Sequence, residues 1–172
     1  HGVPPFDKIL PEHFMPAFER GMSLHEAEID AITSNKDEAT FENTILAYDN
    51  AGQMLAQTEL VFGMLCAAET NDRMQALQEQ AMPLLAAHRD KIRLDDKLFV
   101  RVKEVYDRRA ALGLDAEQMR LLQKTYDSFV RAGALLDAEQ KARLKEINGQ
   151  LSLTAVKFGN NILAENNNFV LE

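Results

Sequence analysis

Cysteine occurs once in this sequence, at Cys66. A lone thiol cannot staple a fold, and it cannot build a cysteine-based zinc finger. Glycine and proline are scarce, 8 and 5 residues of 172, which excludes a collagenous or loop-rich chain. Unbroken apolar runs are short, none approaching the roughly 18 residues of a membrane-spanning helix. Positive charge is in deficit. Lys and Arg number 19 against 27 Asp and Glu, a formal net charge of −8, which argues against a domain whose main task is neutralising nucleic-acid phosphates. No basic-then-apolar leader opens the sequence, and the first residue is His1 rather than Met. That predicts a true start further upstream, with a removed signal peptide left open.

What remains is an ordinary globular composition, 46% apolar and 27% charged. The length suggests one domain spanning residues 1–172, able to bury roughly 70% of its unfolded surface. Ala and Leu occur 22 times each, whereas Val, Ile and Thr reach 22 only when taken together. Unbranched and small side chains lose little entropy in a helix, so the chain reads as all-α. Period-two alternation is absent, and Asn148-Gly149 falls inside a helical pattern rather than between strands.

Six helices are expected, mostly as antiparallel hairpins. After an extended opening from His1 to Pro11, the first runs from about Pro11 to Ile32, with Phe14, Phe18, Gly21, His25, Ile29 and Ile32 on one face. The second runs from an N-cap at Thr40 to about Ala68. Gly52 within it costs about 1 kcal/mol relative to Ala and predicts a bend or a close contact. The third spans about Asn71 to Arg93 with Pro83 kinking it. The fourth starts after Asp95, turning Leu98, Val102, Val105 and Leu112 inward, and Gly113 closes it. The fifth and sixth open on matching capping boxes, Asp115-x-x-Gln118 and Asp137-x-x-Gln140, and Gly133 stops the fifth. In the sixth, Leu144, Ile147, Leu151, Thr154, Phe158 and Ile162 have the spacing of a bundle seam. It is expected to fray over Asn166–Asn168 into an extended end, Phe169–Glu172.

Chemistry is harder to find. His25-Glu26-Ala27-Glu28-Ile29 has the first half of a zinc peptidase motif, in which two histidines four apart on one helical face hold the metal. Position 29 is Ile, so the second ligand is missing, and His25 reads as a packed or surface histidine. His88 reads as a core-edge histidine, and His1 and His13 join no ligand pattern. Cys66, with no histidine nearby in sequence, reads as a buried structural thiol. Asp95-Asp96 and the Glu26/Glu28 pair read as caps and solvated faces. Lys103, Arg108, Arg109 and Arg120 would form a basic strip were Glu104, Asp107 and Glu117 not beside them. No phosphate-binding glycine loop and no G-x-S-x-G nucleophile turn is present.

A specific likeness runs through the chain in order. Its pieces are Phe6-Asp7-x-Ile9, Glu12-His13-Phe14-x-Pro16-Ala17-Phe18-Glu19, His25-x-x-Glu28-Ile29-x-x-Ile32 and Thr40-Phe41-Glu42-Asn43-Thr44-Ile45. Leu98-Phe99-x-Arg101-Val102 follows with Val105-Tyr106, then Phe129-x-Arg131-x-Gly133-Ala134-x-Leu136, Asn161-x-Leu163 and Asn168-Phe169-x-Leu171. Together they resemble the amino-terminal region of the thimet oligopeptidase/neurolysin family of zinc metallopeptidases, most nearly its bacterial peptidyl-dipeptidase and oligopeptidase A branch. The resemblance implies a helical segment forming part of a substrate-channel wall in a protein several times longer. That protein would hydrolyse short peptides and release carboxy-terminal dipeptides. Its zinc site would lie in a carboxy-terminal catalytic part of the same polypeptide. The expectation for residues 1–172 is therefore no catalytic residue, no metal ligand and no bound zinc, with substrate-contacting residues unassigned. The partners implied are the catalytic part and short peptides, with no nucleic acid and no membrane span. The compartment implied is cytoplasmic, or periplasmic if a leader was removed. A non-enzymatic helical interaction module is the rival expectation.

Overall fold

The computed structural model describes residues 3–68 and 70–168, and among them every regular element is helical. Six helices carry the fold: α1 Phe14–Ser34, α2 Gln53–Ala68, α3 Asp72–Arg93, α4 Asp96–Asp107, α5 Ala116–Arg131 and α6 Ala138–Asn168. Two 3₁₀ turns, Phe6–Lys8 and Pro11–His13, interrupt the expected extended opening, and the first helix starts at Phe14 rather than Pro11. The expected extended end, Phe169–Glu172, lies outside the described residues.

The helix starts follow from local side-chain chemistry. Asn71 Oδ1 accepts from the Met74 N–H at 3.0 Å and Asp95 Oδ1 from the Leu98 N–H at 2.8 Å. Asp115 and Gln118 cap each other reciprocally at 2.8 and 3.1 Å, and Asp137 and Gln140 repeat this at 2.8 and 3.2 Å. Each cap satisfies backbone donors that the helix itself cannot, typically worth about 1 kcal/mol.

The expected second helix is in two pieces. Thr40 caps the first, its hydroxyl accepting from the Asn43 N–H at 3.1 Å while Asn43 Oδ1 accepts from the Thr40 N–H at 2.8 Å. A wide π-type turn, Phe41–Leu46, leads into a single α-turn at Ala47–Asp49, and the chain then breaks before α2. The break is enforced at Gly52. Its φ is +74°, and a Cβ there would sit 2.8 Å from the His25 ring. Its N–H donates to Glu28 Oε2 at 2.7 Å, so α1 holds the corner from the side. Gly113 and Gly133, both at positive φ, lie beyond α4 and α5 as expected. The fourth helix is shorter than its pattern. It stops at Asp107, and a 3₁₀ turn at Arg109–Ala111 leaves Leu112 outside it. Pro83 sits within a continuous α3.

Two apolar cores result. One gathers Phe14, Phe18, Leu55, Phe62, Met74, Ala81 and Leu85. The other gathers Ile29, Ile32, Phe41, Ile45, Ile92, Leu98, Val102, Leu122 and Phe129 with their neighbours. Helices α1 and α3 contribute to both. Helix α1 packs on α2, α4 on α5, and α3 on α6. The last pairing is not a sequential hairpin. Asp90 meets Asn148 and Glu79 meets Asn160, so α6 runs back antiparallel along α3.

The expected seam of α6 is corrected by this pairing. Val156 and Lys141 are buried and Asn148 bonds Asp90 at 2.9 and 3.1 Å, so the stripe through 141, 148 and 156 is the one that faces the fold. Leu151 and Phe158 instead stand 63% and 66% exposed, with Ile147 and Ile162 also outside. The spacing was helical, but periodicity alone does not say which of two adjacent faces meets a neighbour within the same chain.

Candidate functional site

The most concentrated group of titratable side chains lies where the two cores meet. On α1, His25 follows Phe18 and Gly21 along the inward stripe and precedes Ile29. On α3, His88 sits between Leu85 and Ile92. Each histidine thus takes a position that an apolar residue holds one turn away, and they meet as a polar seam between two greasy cores. His88 Nε2 and His25 Nδ1 are 3.1 Å apart, and the rings lie 5.1 Å centre to centre. Glu26 Oε1 is 3.5 Å from His88 Nδ1, and Lys91 Nζ holds the other oxygen of Glu26 at 2.9 Å. A carboxylate beside Nδ1 favours the proton there, which leaves His88 Nε2 to accept from His25 Nδ1–H.

Burial, first of all, lowers the pKa of both histidines from the ordinary 6.5. For His25 the neighbouring His88 adds to the lowering, while Glu28 and Glu26 oppose it. For His88, Glu26 opposes it. The folded protein thus binds protons less readily than the unfolded chain. Stability from this pair is complete above the unfolded value and declines as pH falls below it towards the lowered folded values. The slope is at most about 1.4 kcal/mol per pH unit for each proton of difference. The Glu26 carboxylate, held below its usual 4.5 chiefly by Lys91, responds at lower pH and leaves this window clear. Urea midpoints at about pH 7.5 and 5.5 are expected to fall more for the natural chain than for His88→Gln. Equal falls would exclude the pair as the source.

These residues do not fit the zinc that the family resemblance implies. The imidazoles face each other, Glu28 accepts from Gly52 and Glu26 is held by Lys91. Among the described residues no three His, Cys, Asp or Glu side chains gather as a metal site would need.

The remaining singled-out residues take other places. His13 Nδ1 accepts from the Leu10 N–H at 3.2 Å, and His1 is outside the described residues. Cys66 is half-buried, and burial pushes its thiol pKa up, away from reactivity. Asp95 is a cap, and Asp96 pairs with Lys141 across to α6. The basic strip dissolves into separate contacts. Lys103 pairs with Asp107, Arg108 with Glu38, and Arg109 lies 4.1 Å over the Tyr106 ring.

One structural clamp was not legible from residue type. Arg101 is buried, and its guanidinium donates to the carbonyls of Asn35 and Asp37 at 3.0 and 3.1 Å and to Asn43 Oδ1 at 3.1 Å. Arg108 reaches Glu38 and the Ala39 carbonyl beside it. Arg101 of α4 and Arg108, just past its end, therefore clamp the connector after α1 and the cap of the following turn. The ordered likeness read from the sequence includes many such positions: Phe14, Phe18, Phe41, Ile45, Leu98, Arg101, Val102 and Phe129 are all buried. That part of it is a signature of packing and loop geometry.

The chain matches no protein-family model. It is 42% identical over 164 residues to the dipeptidyl carboxypeptidase of Escherichia coli (strain K12) and 40% identical over 162 residues to that of Salmonella typhimurium. It is 23% identical over 161 residues to oligopeptidase A of Escherichia coli (strain K12). These alignments take in 94–95% of this chain but 24% of each relative, so the chain spans about a quarter of the length of the curated relatives it matches. The matched quarter is the amino-terminal one. The resemblance read from the sequence is thereby shown: along nearly all its length this chain is similar to the amino-terminal region of the dipeptidyl carboxypeptidases and oligopeptidases of the thimet-like family.

Proposed function

We propose that the chain is the amino-terminal helical domain of a longer zinc-dependent peptidyl-dipeptidase, which removes carboxy-terminal dipeptides from short peptides. In this reading residues 1–172 form part of the wall of the substrate channel and supply no catalytic group. The carrying observation is the 42% identity that covers 95% of the chain and stops at 24% of the relative. A zinc ion held elsewhere in the polypeptide would polarise the scissile carbonyl and activate water. The part of the present residues is positional. The Arg101 and Arg108 clamp fixes the connector between α1 and the Thr40 turn, and the paired cores give a stiff helical wall. A wall of this kind selects by access, admitting flexible peptides and excluding folded proteins. No described helix is long and apolar enough to cross a membrane. We place the protein in the cytoplasm, or in the periplasm if a leader was removed.

The test has two arms. Peptides from this chain, traced in the source cell after size separation, are expected in a protein several times 19.4 kDa. That protein, purified, is expected to release dipeptides from the carboxy terminus of short peptides, to stop with a chelator and to resume with zinc. The 172-residue chain alone is expected to release none. A native product of 19.4 kDa would overturn the reading and favour an interaction module, and dipeptide release by the isolated chain would refute the absence of a catalytic site.

A further inference from the structure

Two outer faces of this fold have the composition of an interior. On α6, Leu151 and Phe158 stand out, with Ile147 and Ile162 along the same stripe, roughly 22 Å of apolar side chains at 1.5 Å per residue. On α2, Gln53–Ala68 contains a single charged residue, Glu59, and it turns towards Arg89 at 3.9 Å. The exposed positions of α2 include Met54, Leu60 and Met64, in a chain that is 27% charged as a whole. Apolar outer faces of this kind mark a contact that something covers.

The glycines sharpen this. Gly63 on α2 and Gly159 on α6 border a trough between the two helices, together with Ala67 and Ala155. A Cβ added at either glycine meets nothing within 4 Å. Glycine inside a helix costs about 1 kcal/mol relative to alanine, and nothing among the described residues fills the space. Small residues facing open space, between two apolar faces, suit a backbone arriving from outside the chain.

We propose that the outer faces of α6 and α2 are the seat of an apolar helical segment from the part of the polypeptide beyond the matched quarter. This rests on the reading above, in which the full protein is about four times longer, and it names the surface by which this domain joins the rest. The charges bordering the α6 stripe are mixed, Lys145 and Lys157 with Glu146 and Glu165, so they select no strongly charged partner. An amphipathic helix presenting aliphatic side chains to Leu151 and Phe158 and a close-approaching backbone to Gly159 satisfies the whole surface.

The experiment uses the full-length gene product, carrying Phe158→Cys or, as a control on α5, Lys124→Cys, with thiol labelling read peptide by peptide by mass spectrometry. Both positions are exposed in the fold described here. Cys at 158 is expected to label at least tenfold more slowly than Cys at 124, with protection unchanged on dilution. Adding Gly159→Leu is expected to restore labelling at 158. Equal rates at both positions in a protein several times 19.4 kDa would overturn this seat while leaving the peptidase reading intact. Protection that fades on dilution, with a dimer's mass at high concentration, would assign the face to a second copy and overturn the proposed occupant. A native product of 19.4 kDa would remove the longer polypeptide itself, and the failure would then lie with the peptidase reading.

Discussion

Phe62→Ala is expected to destabilise the chain by about 3–5 kcal/mol, the range for deleting a fully buried phenylalanine and leaving a cavity. Phe62 is 1% exposed and touches two other rings, Phe14 at 4.9 Å and Phe18 at 5.3 Å, the latter edge-on. Such ring pairs add to the area term, and the neighbours cannot collapse into the space because α1 is fixed at its other end by the second core. Whole-domain stabilities run at about 5–15 kcal/mol, so the loss removes a large share. Urea denaturation followed by circular dichroism should show a lower midpoint at an unchanged slope. A loss under about 1 kcal/mol would mean that the aromatic trio is not packed as described.

Arg101→Ala is the second large effect, expected to cost about 2–4 kcal/mol, because hydrogen bonds from a charged donor are worth about 1.5–3 kcal/mol each and the three partners are not independent. The side chain is only 9% exposed, and all three of its partners are neutral oxygens on the connector and the Thr40 turn. Arg101→Lys is expected to recover only part of the loss. An ammonium is a point donor and cannot hold a fork of carbonyls and an amide in one plane. The check is urea denaturation of both variants, with amide exchange over Phe41–Leu46. Equal stability of Arg101→Lys and the natural chain would show that charge alone, without the fork, holds the connector.

How far the sequence announces all this depends on the kind of force involved. The caps at Thr40, Asn71, Asp95, Asp115 and Asp137 are local chemistry, decided within three or four residues, and all were legible. So were the stops at Gly113 and Gly133, because a left-handed residue after a helix is a backbone requirement. The inward positions of α1 and α4 were legible because each of those helices has one apolar face. Helix α6 has two usable faces, and the choice between them is made by α3, some 60 residues away in sequence. The break at Gly52 was legible only as a cost. What turns it into a corner is the His25 ring and the Glu28 carboxylate of another helix. The His25–His88 seam left one faint signal, a lone histidine on each of two apolar stripes, but nothing in the sequence says that the stripes meet there. Arg101 left no signal of its own, since a buried arginine looks like any other in the sequence. It stood out only as one member of the ordered likeness.

The return of α6 along α3 also bears on the order in which the molecule assembles. The α1–α2 and α4–α5 contacts join neighbours in sequence, and such short loops close quickly and early. Among the described residues helix α6 has only α3 as a substantial partner, through pairs such as Asp90 with Asn148 and Glu79 with Asn160, 58 and 81 residues apart. Among the six helices it is also the last to be made during synthesis. The first five helices can therefore condense around their two cores while the outer side of α3 is still bare, and α6 docks as a closing step. Over its 31 residues this helix buries only Lys141 and Val156 among the described residues, so it is expected to be released readily by local opening, and the long apolar stripe is borne by an element with few buried side chains.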